Sequence, residues 1–247
     1  MKSPRQSIMI RWKSIQRNVF VDRSIKVNRF VYHFLPWPYA KAILENKKLR
    51  LSPIRSWDDP YEQWWCDHLF KLDNLSTTNA YGMCWTINSF AEPSWRMAAF
   101  GRSDPIVRIR CSTRTLLEAG KNSAKRTSGE LYLGKIRYCE TKKVEKIASR
   151  KSNFPQCAPM QTAATTLLYK RNAFKFENEV RLLWLNEGVP FCEFFIDINP
   201  QNTISQVMTS PYAEWKEHMD IKKYVEEFGI ESKKSAVMRG PEDSALG

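Results

Sequence analysis

The chain has six cysteines but no Cys-x-x-Cys pair and no cysteine/histidine ligand cluster. That spacing disfavours a zinc site and fits reduced thiols in a cytosolic protein. The amino-terminus carries no apolar run long enough for a signal peptide or a membrane span, so a soluble, cytoplasmic protein without membrane association is expected. Gly-x-Gly-x-x-Gly and Gly-x4-Gly-Lys-Ser/Thr loops are absent, which argues against Rossmann and P-loop nucleotide sites. His-Glu-x-x-His and Gly-x-Ser-x-Gly are absent too, and no internal repeat is seen. No metal ligand set is expected.

What is present is a core and a polarised charge. Of 247 residues, 43% are hydrophobic and 31 are aromatic (9 Trp, 9 Tyr, 13 Phe), ample for a folded domain. The net charge of +13 is uneven. Residues 1–55 carry 13 Lys/Arg against Asp22 and Glu45, residues 108–151 carry 13 against four Glu, and residues 186–247 carry 11 acids against six bases. A basic face of this kind attracts phosphates through counterion release. Solubility or charge suited to a membrane surface is the plainer explanation.

Short strand-like runs alternate with helical ones. Residues 29–35 and 49–53 read as strands around a helix that follows Pro36 and Pro38. Residues 81–86 read as a buried strand. Residues 94–100 read as a helix stopped by Gly101, and 113–119 as one stopped by Gly120. Residues 106–111 alternate apolar with Arg108 and Arg110 and read as a strand with one wet, cationic face. The organisation expected is a basic arm over 1–26, one compact α+β domain over 27–240 built of mixed short-stranded sheets with flanking helices, and a loose tail over 241–247. The arm has approximate helical spacing at Met9, Trp12, Ile15 and Val19, a pattern suited to nucleic acid, a partner protein or simple packing on the domain. Residues 140–160 read as a basic excursion.

The most informative stretch is Tyr169–Leu185. It opens on Lys170 and Arg171, places Glu177 and Glu179 two residues apart, and enters an apolar run. In a strand, residues i and i+2 share a face, so both carboxylates would lie at the mouth of a buried strand if extended geometry already holds at Glu177. The plain alternative is a solvated edge in which Lys175 and Arg181 pair with them. Asp58 and Asp59 precede Pro60 and Glu62. They read as a turn and helix cap, with a metal-dependent nuclease as the chemical alternative. His33 closes an aromatic strand.

The ordered segments RFVYHF, LRLSPIRSWDDPYE, MCWT, SWRMAAFG, IVRIRCS, GKIRY, LLYKRNAFKFENEVRLL and IDINPQNTISQVMTSPYAEW resemble a bacterial domain-of-unknown-function family, number 2971. The chain departs from that pattern at Asp58, Ser94 and Ala98. The order of an aromatic-His strand, a hydroxyl-ended strand and a Glu leading a late strand also resembles ADP-ribosyltransferase-like toxins. That resemblance implies a split sheet, NAD as substrate and a toxin or phage-defence setting. It gives Glu179 the nicotinamide ribose and the oxocarbenium ion, and Glu177 the acceptor. It places His33, Tyr32, Ser52, Trp85 and Thr86 around NAD, and makes nucleic acid a partner through Arg108, Arg110, Lys170 and Arg171. A non-catalytic nucleic-acid-binding or sensor module is the alternative.

Overall fold

In the computed structural model the described residues are 10–64, 66–67, 78–89, 92–124, 128–149, 159–188 and 190–238. The strands are β1 Trp12–Gln16, β2 Val19–Asp22, β3 Phe30–Pro36, β4 Lys48–Pro53, β5 Thr78–Thr86, β6 Ile106–Ser112, β7 Glu130–Lys135, β8 Arg137–Cys139, β9 Tyr169–Arg171, β10 Glu179–Glu187, β11 Phe194–Asp197, β12 Ile204–Thr209 and β13 Glu231–Lys234. Helices lie between them, and the sheets mix parallel with antiparallel pairs. The fold is α+β, as expected.

The chain separates into two compact units, each assembled from three segments. The first comprises Met1–Lys26, Leu51–Met83 and Ala124–Phe194. Its strands run in the order β1-β2-β7-β10, with the start of β5 next to β10. Strand β10 is central there and buried from Glu179 to Asn186. Its Leu182, Leu183, Trp184 and Leu185 are each 1% exposed or less, which stabilises the unit by about 1.5–3 kcal/mol per side chain. Gly82 of β5 has a packing reason, because a Cβ there would sit 2.8 Å from the Trp57 ring. The parallel pair β8–β9 carries Tyr138 and Lys170 alongside.

The second unit comprises Val27–Arg50, Cys84–Ser123 and Phe195–Gly247, and its strands run β3-β6-β12-β13. The helix Trp37–Asn46 begins directly after Pro36, holds a proline in its first turn, and ends at Lys47 in the left-handed region at φ 54°. It buries Ala40, Ile43 and Leu44. The helix Trp215–Glu226 opens with a reciprocal cap between Glu214 and Glu217.

Three local expectations are corrected. Residues 12–22 form a β-hairpin turning at Asn18, which has φ 63°, rather than a basic helix. Their near-helical spacing is overridden because β2 pairs in parallel with β7, burying Val19 and Val21. Gly120 does not stop its helix, which continues to Ala124. Within the 140–160 segment, residues 141–149 are helical with Val144 buried, while 150–158 lie outside the described residues.

Candidate functional site

The stretch that leads β10 does not stay extended. Asn172–Glu177 is a 3-10 helix, and Asn178 takes left-handed geometry at φ 46° before the strand starts at Glu179. Glu177 and Glu179 therefore do not alternate along one strand, contrary to the extended reading. They converge through a shared cation. Lys170 Nζ donates to Glu177 Oε2 at 2.7 Å and to Glu179 Oε2 at 3.1 Å.

Arg181, two residues along β10 and on the same face, closes the other side. Its Nε donates to Glu179 Oε1 at 2.6 Å, and a terminal nitrogen reaches Glu179 Oε2 at 3.2 Å. The guanidinium also donates to Glu62 Oε1, and to the Leu167 carbonyl at 2.8 Å. Lys170 lies 3.8 Å from Glu62. Glu62, Glu179 and Arg181 are all buried, at 3%, 2% and 0% exposure, so the solvated-edge reading fails for Glu179. The cation shared by the pair is Lys170.

Neutral groups complete the cluster. The Tyr138 hydroxyl accepts from the Glu179 backbone N–H at 2.8 Å. The Trp57 ring covers the Arg181 guanidinium at 4.8 Å, and Trp57 Nε1 donates to Ser52 Oγ at 2.8 Å. Ser52 thus acts on the cluster through Trp57. Arg171 pairs with Asp59 at 3.0 Å and lies over the Tyr61 ring. Asp59 also caps the helix Pro60–Trp64, accepting from Tyr61 N–H at 3.0 Å. Asp59 and Glu62, candidate metal ligands from the sequence, face Arg171 and Arg181. Among the described residues no three His, Cys, Asp or Glu side chains form a group able to hold a metal ion.

The cluster sets three carboxylates (Glu62, Glu177, Glu179) against two cations (Lys170, Arg181). With every group ionised it carries one surplus negative charge. Burial raises Glu62 and Glu177 above the ordinary carboxylate range, although the neighbouring cations pull both back. Burial also works against the Lys170 ammonium, but Glu179, Glu62 and Glu177 outweigh it and hold its pKa above normal. Such a site favours additional positive charge, either a proton or a developing cation.

In the second unit, His33 Nδ1 lies 2.7 Å from the Cys84 carbonyl, which can only accept. Nδ1 therefore carries the proton, and the neutral ring presents Nε2 as an acceptor. Burial lowers the His33 pKa, against the carbonyl bond, and favours this neutral form. The Trp85 ring is 5.6 Å from His33, and its indole N–H is buried without a hydrogen-bond partner among the described residues. Thr86 is paired with Tyr32 across β5 and β3, and its Oγ1 accepts from Asn88 N–H at 3.0 Å. The structure thus gathers His33, Tyr32, Trp85 and Thr86 in one unit, and Ser52, Lys170, Arg171, Glu177 and Glu179 in the other.

The wet cationic face expected on β6 is corrected. Arg108 is 3% exposed, lies 4.6 Å over the Tyr32 ring, and donates to Gln206 Oε1 at 2.9 Å and to the Ser89 carbonyl. Arg110 lies over Phe30 and donates to Ser205 Oγ at 2.9 Å and Glu231 Oε2 at 3.3 Å. Alternation placed both on one face, and there they meet side chains of the neighbouring strands of the same sheet, Phe30 and Tyr32 on β3, Ser205 and Gln206 on β12 and Glu231 on β13. Sequence reasoning missed Trp57, Tyr138 and the part played by Glu62. The buried position of Glu62 beside a basic stretch 119 residues away had no local signal.

No protein-family model matches the chain, so the resemblance to family number 2971 gains no support from one, and no curated protein matches it. Among solved structures, Thermus sp. 2.9 DarT in complex with NAD+ is similar at a TM-score of 0.41 with 10% identity. The match covers 86% of this chain and 98% of that one. A likeness of that degree assigns no residue and no activity here. Among the described residues, no helix is long and apolar enough to cross a membrane.

Proposed function

We propose that this chain is an NAD-consuming, ADP-ribosyltransferase-like enzyme that modifies nucleic acid in the cytoplasm, in a toxin or phage-defence setting. The observation that carries the reading is the buried carboxylate cluster at the head of β10, centred on Glu179 between Lys170 and Arg181. Cleavage of the bond from ribose C1′ to nicotinamide leaves the electron pair on nicotinamide, which departs neutral, and positive charge on the ribose. A fixed carboxylate in a dry site stabilises that charge without reorganising as it forms. Arg181 and Tyr138 hold Glu179 in place, and Glu179 serves the ribose 2′-hydroxyl and the oxocarbenium ion.

Glu177 is half-buried, and burial holds its pKa above the ordinary carboxylate range, which strengthens it as a base. It takes the proton of the acceptor as that group bonds to C1′. Within the second unit, the resemblance gives His33 a ribose hydroxyl to accept from through Nε2, with Tyr32, Trp85 and Thr86 in the same group. Ser52 contributes through Trp57, as a positioning residue. Incubation with NAD and single-stranded nucleic acid should release nicotinamide and yield a modified strand. Glu179→Gln, nearly isosteric, should lower nicotinamide release at least about 100-fold while the thermal transition persists. Unchanged release from folded Glu179→Gln protein would remove the reading.

A further inference from the structure

The four cations singled out from the sequence for nucleic acid are engaged internally, as described above. A different basic surface is not. The β1–β2 hairpin borders an open groove of about 510 Å³ lined by Ile10, Arg11, Trp12, Ser14, Phe20, Arg23 and Gln161. Arg11 and Arg23 are brought together by the hairpin, where Arg23 N–H donates to the Arg11 carbonyl at 2.9 Å. Both side chains are exposed, and no hydrogen bond or ion pair engages either of them among the described residues. The hairpin's carboxylate, Asp22, is turned away from them. It is 1% exposed, pairs with Arg137 at 2.8 Å and accepts from Ser24. Nothing on the hairpin neutralises the two guanidinium groups.

The aromatic lining is held rigidly. Trp12 packs edge-on against Tyr132 at 4.9 Å, and its Nε1 donates to Thr165 Oγ1 at 3.0 Å. Phe20 stacks on the other side of the pairing, 5.0 Å from Tyr132 and 18° from parallel. Both are half-buried, so they offer ring surface inside a groove and do not protrude as membrane-inserting side chains would. Two unneutralised arginines beside two pre-positioned rings combine phosphate attraction with base stacking, the chemistry of single-strand binding.

We infer that the hairpin groove is a docking site for single-stranded nucleic acid, with phosphates on Arg11 and Arg23 and a base against Trp12 or Phe20. The inference rests on the proposed nucleic-acid acceptor for its purpose, but the binding it describes is measured without NAD. The test is fluorescence anisotropy of a labelled 12-nucleotide single strand and of a duplex of equal length, titrated with the full chain at several salt concentrations. Arg11→Gln/Arg23→Gln, on exposed side chains, should lower the slope of log affinity against log salt by about 1.4, since each single-strand phosphate contributes about 0.7. That corresponds to roughly 25-fold weaker binding at 0.1 M salt. Trp12→Phe should retain the salt slope while weakening the single strand more than the duplex, and its circular dichroism should match wild type.

An unchanged slope in the double variant overturns the proposal. So does capture of anionic phosphatidylserine vesicles with no oligonucleotide binding, or binding that arises only once residues 1–9 are deleted. Nicotinamide release is read separately on the same double variant. Loss of oligonucleotide binding with release preserved supports the groove. Oligonucleotide binding by the wild-type chain that depends on Arg11 and Arg23, together with release unchanged in Glu179→Gln, removes the transferase reading and keeps the groove.

Discussion

Among the described residues two arginines are buried, one in each unit, and they are held in opposite ways. Arg181 lies among carboxylates, bonded to Glu179 and Glu62 under the Trp57 ring. Arg108 meets neutral dipoles, a carbonyl of Ser89 and the amide oxygen of Gln206, with the Tyr32 ring beside it. Its Nε has no hydrogen-bond partner among the described residues. Burial lowers the Arg108 pKa to about 10. Equal burial thus hides different electrostatics. Arg181 completes a buried network of carboxylates and cations, whereas Arg108 is a charge stabilised by dipoles and a ring face. The first arrangement suits chemistry on a cation, and the second joins β3, β6 and β12.

That contrast can be broken from either side. The largest effect expected is on activity, from Glu179→Gln. The largest effect on stability should come from Arg181→Met, which strands Glu179 and Glu62 in the interior with Lys170 as their remaining shared cation. Removing one partner of a buried ion pair costs about 3–5 kcal/mol, measurable by urea unfolding. Arg108→Met should cost less, about 1–3 kcal/mol, because it leaves neutral acceptors unsatisfied and no carboxylate. Equal costs for the two variants would mean that the carboxylates around Arg181 add nothing to its hold on the fold.

The pH dependence sharpens the comparison further. Glu62 and Glu177 have folded pKa values raised by burial. Their contribution to stability is therefore complete below the ordinary carboxylate range and is lost as pH rises through the raised values. His33 has a lowered folded pKa. Its contribution is present above the ordinary histidine range and is lost as pH falls through the lowered value. Unfolding free energies measured across this range should show Glu62→Gln reducing the decline with rising pH just above the carboxylate range. His33→Gln should reduce the decline on the acid side of the histidine range. A Glu62→Gln profile parallel to wild type would show that Glu62 titrates as it does in the unfolded chain.

Much of the fold was legible from local pattern. Strand β3, the proline-led helix Trp37–Asn46, strand β6, the Asp59 cap before Pro60 and the buried run of β10 all follow from propensity, capping and periodicity, which act over a few residues. The candidate site was legible only in part. Glu177, Glu179, Arg181 and Lys170 stand within one stretch, but Lys170 read as a contact for nucleic acid and Glu62 as a cap or metal ligand. Arg108 and Arg110 read as solvent-facing because alternation identifies a shared face without saying what covers it.

The sequence alone determined the α+β class, most element positions and the concentration of charge that makes a basic surface unavoidable. Tertiary structure decided which charges remain available. The Asn172–Glu177 turn and the left-handed Asn178 bring Glu177 onto Lys170, the fold carries Glu62 to Arg181 from 119 residues away, and pairing with β7 turns an apparent basic helix into a grooved hairpin. The physical reason is range. Backbone propensity is settled between near neighbours, whereas desolvation and ion pairing depend on which distant segments arrive, and these set the protonation and availability of every charged group here.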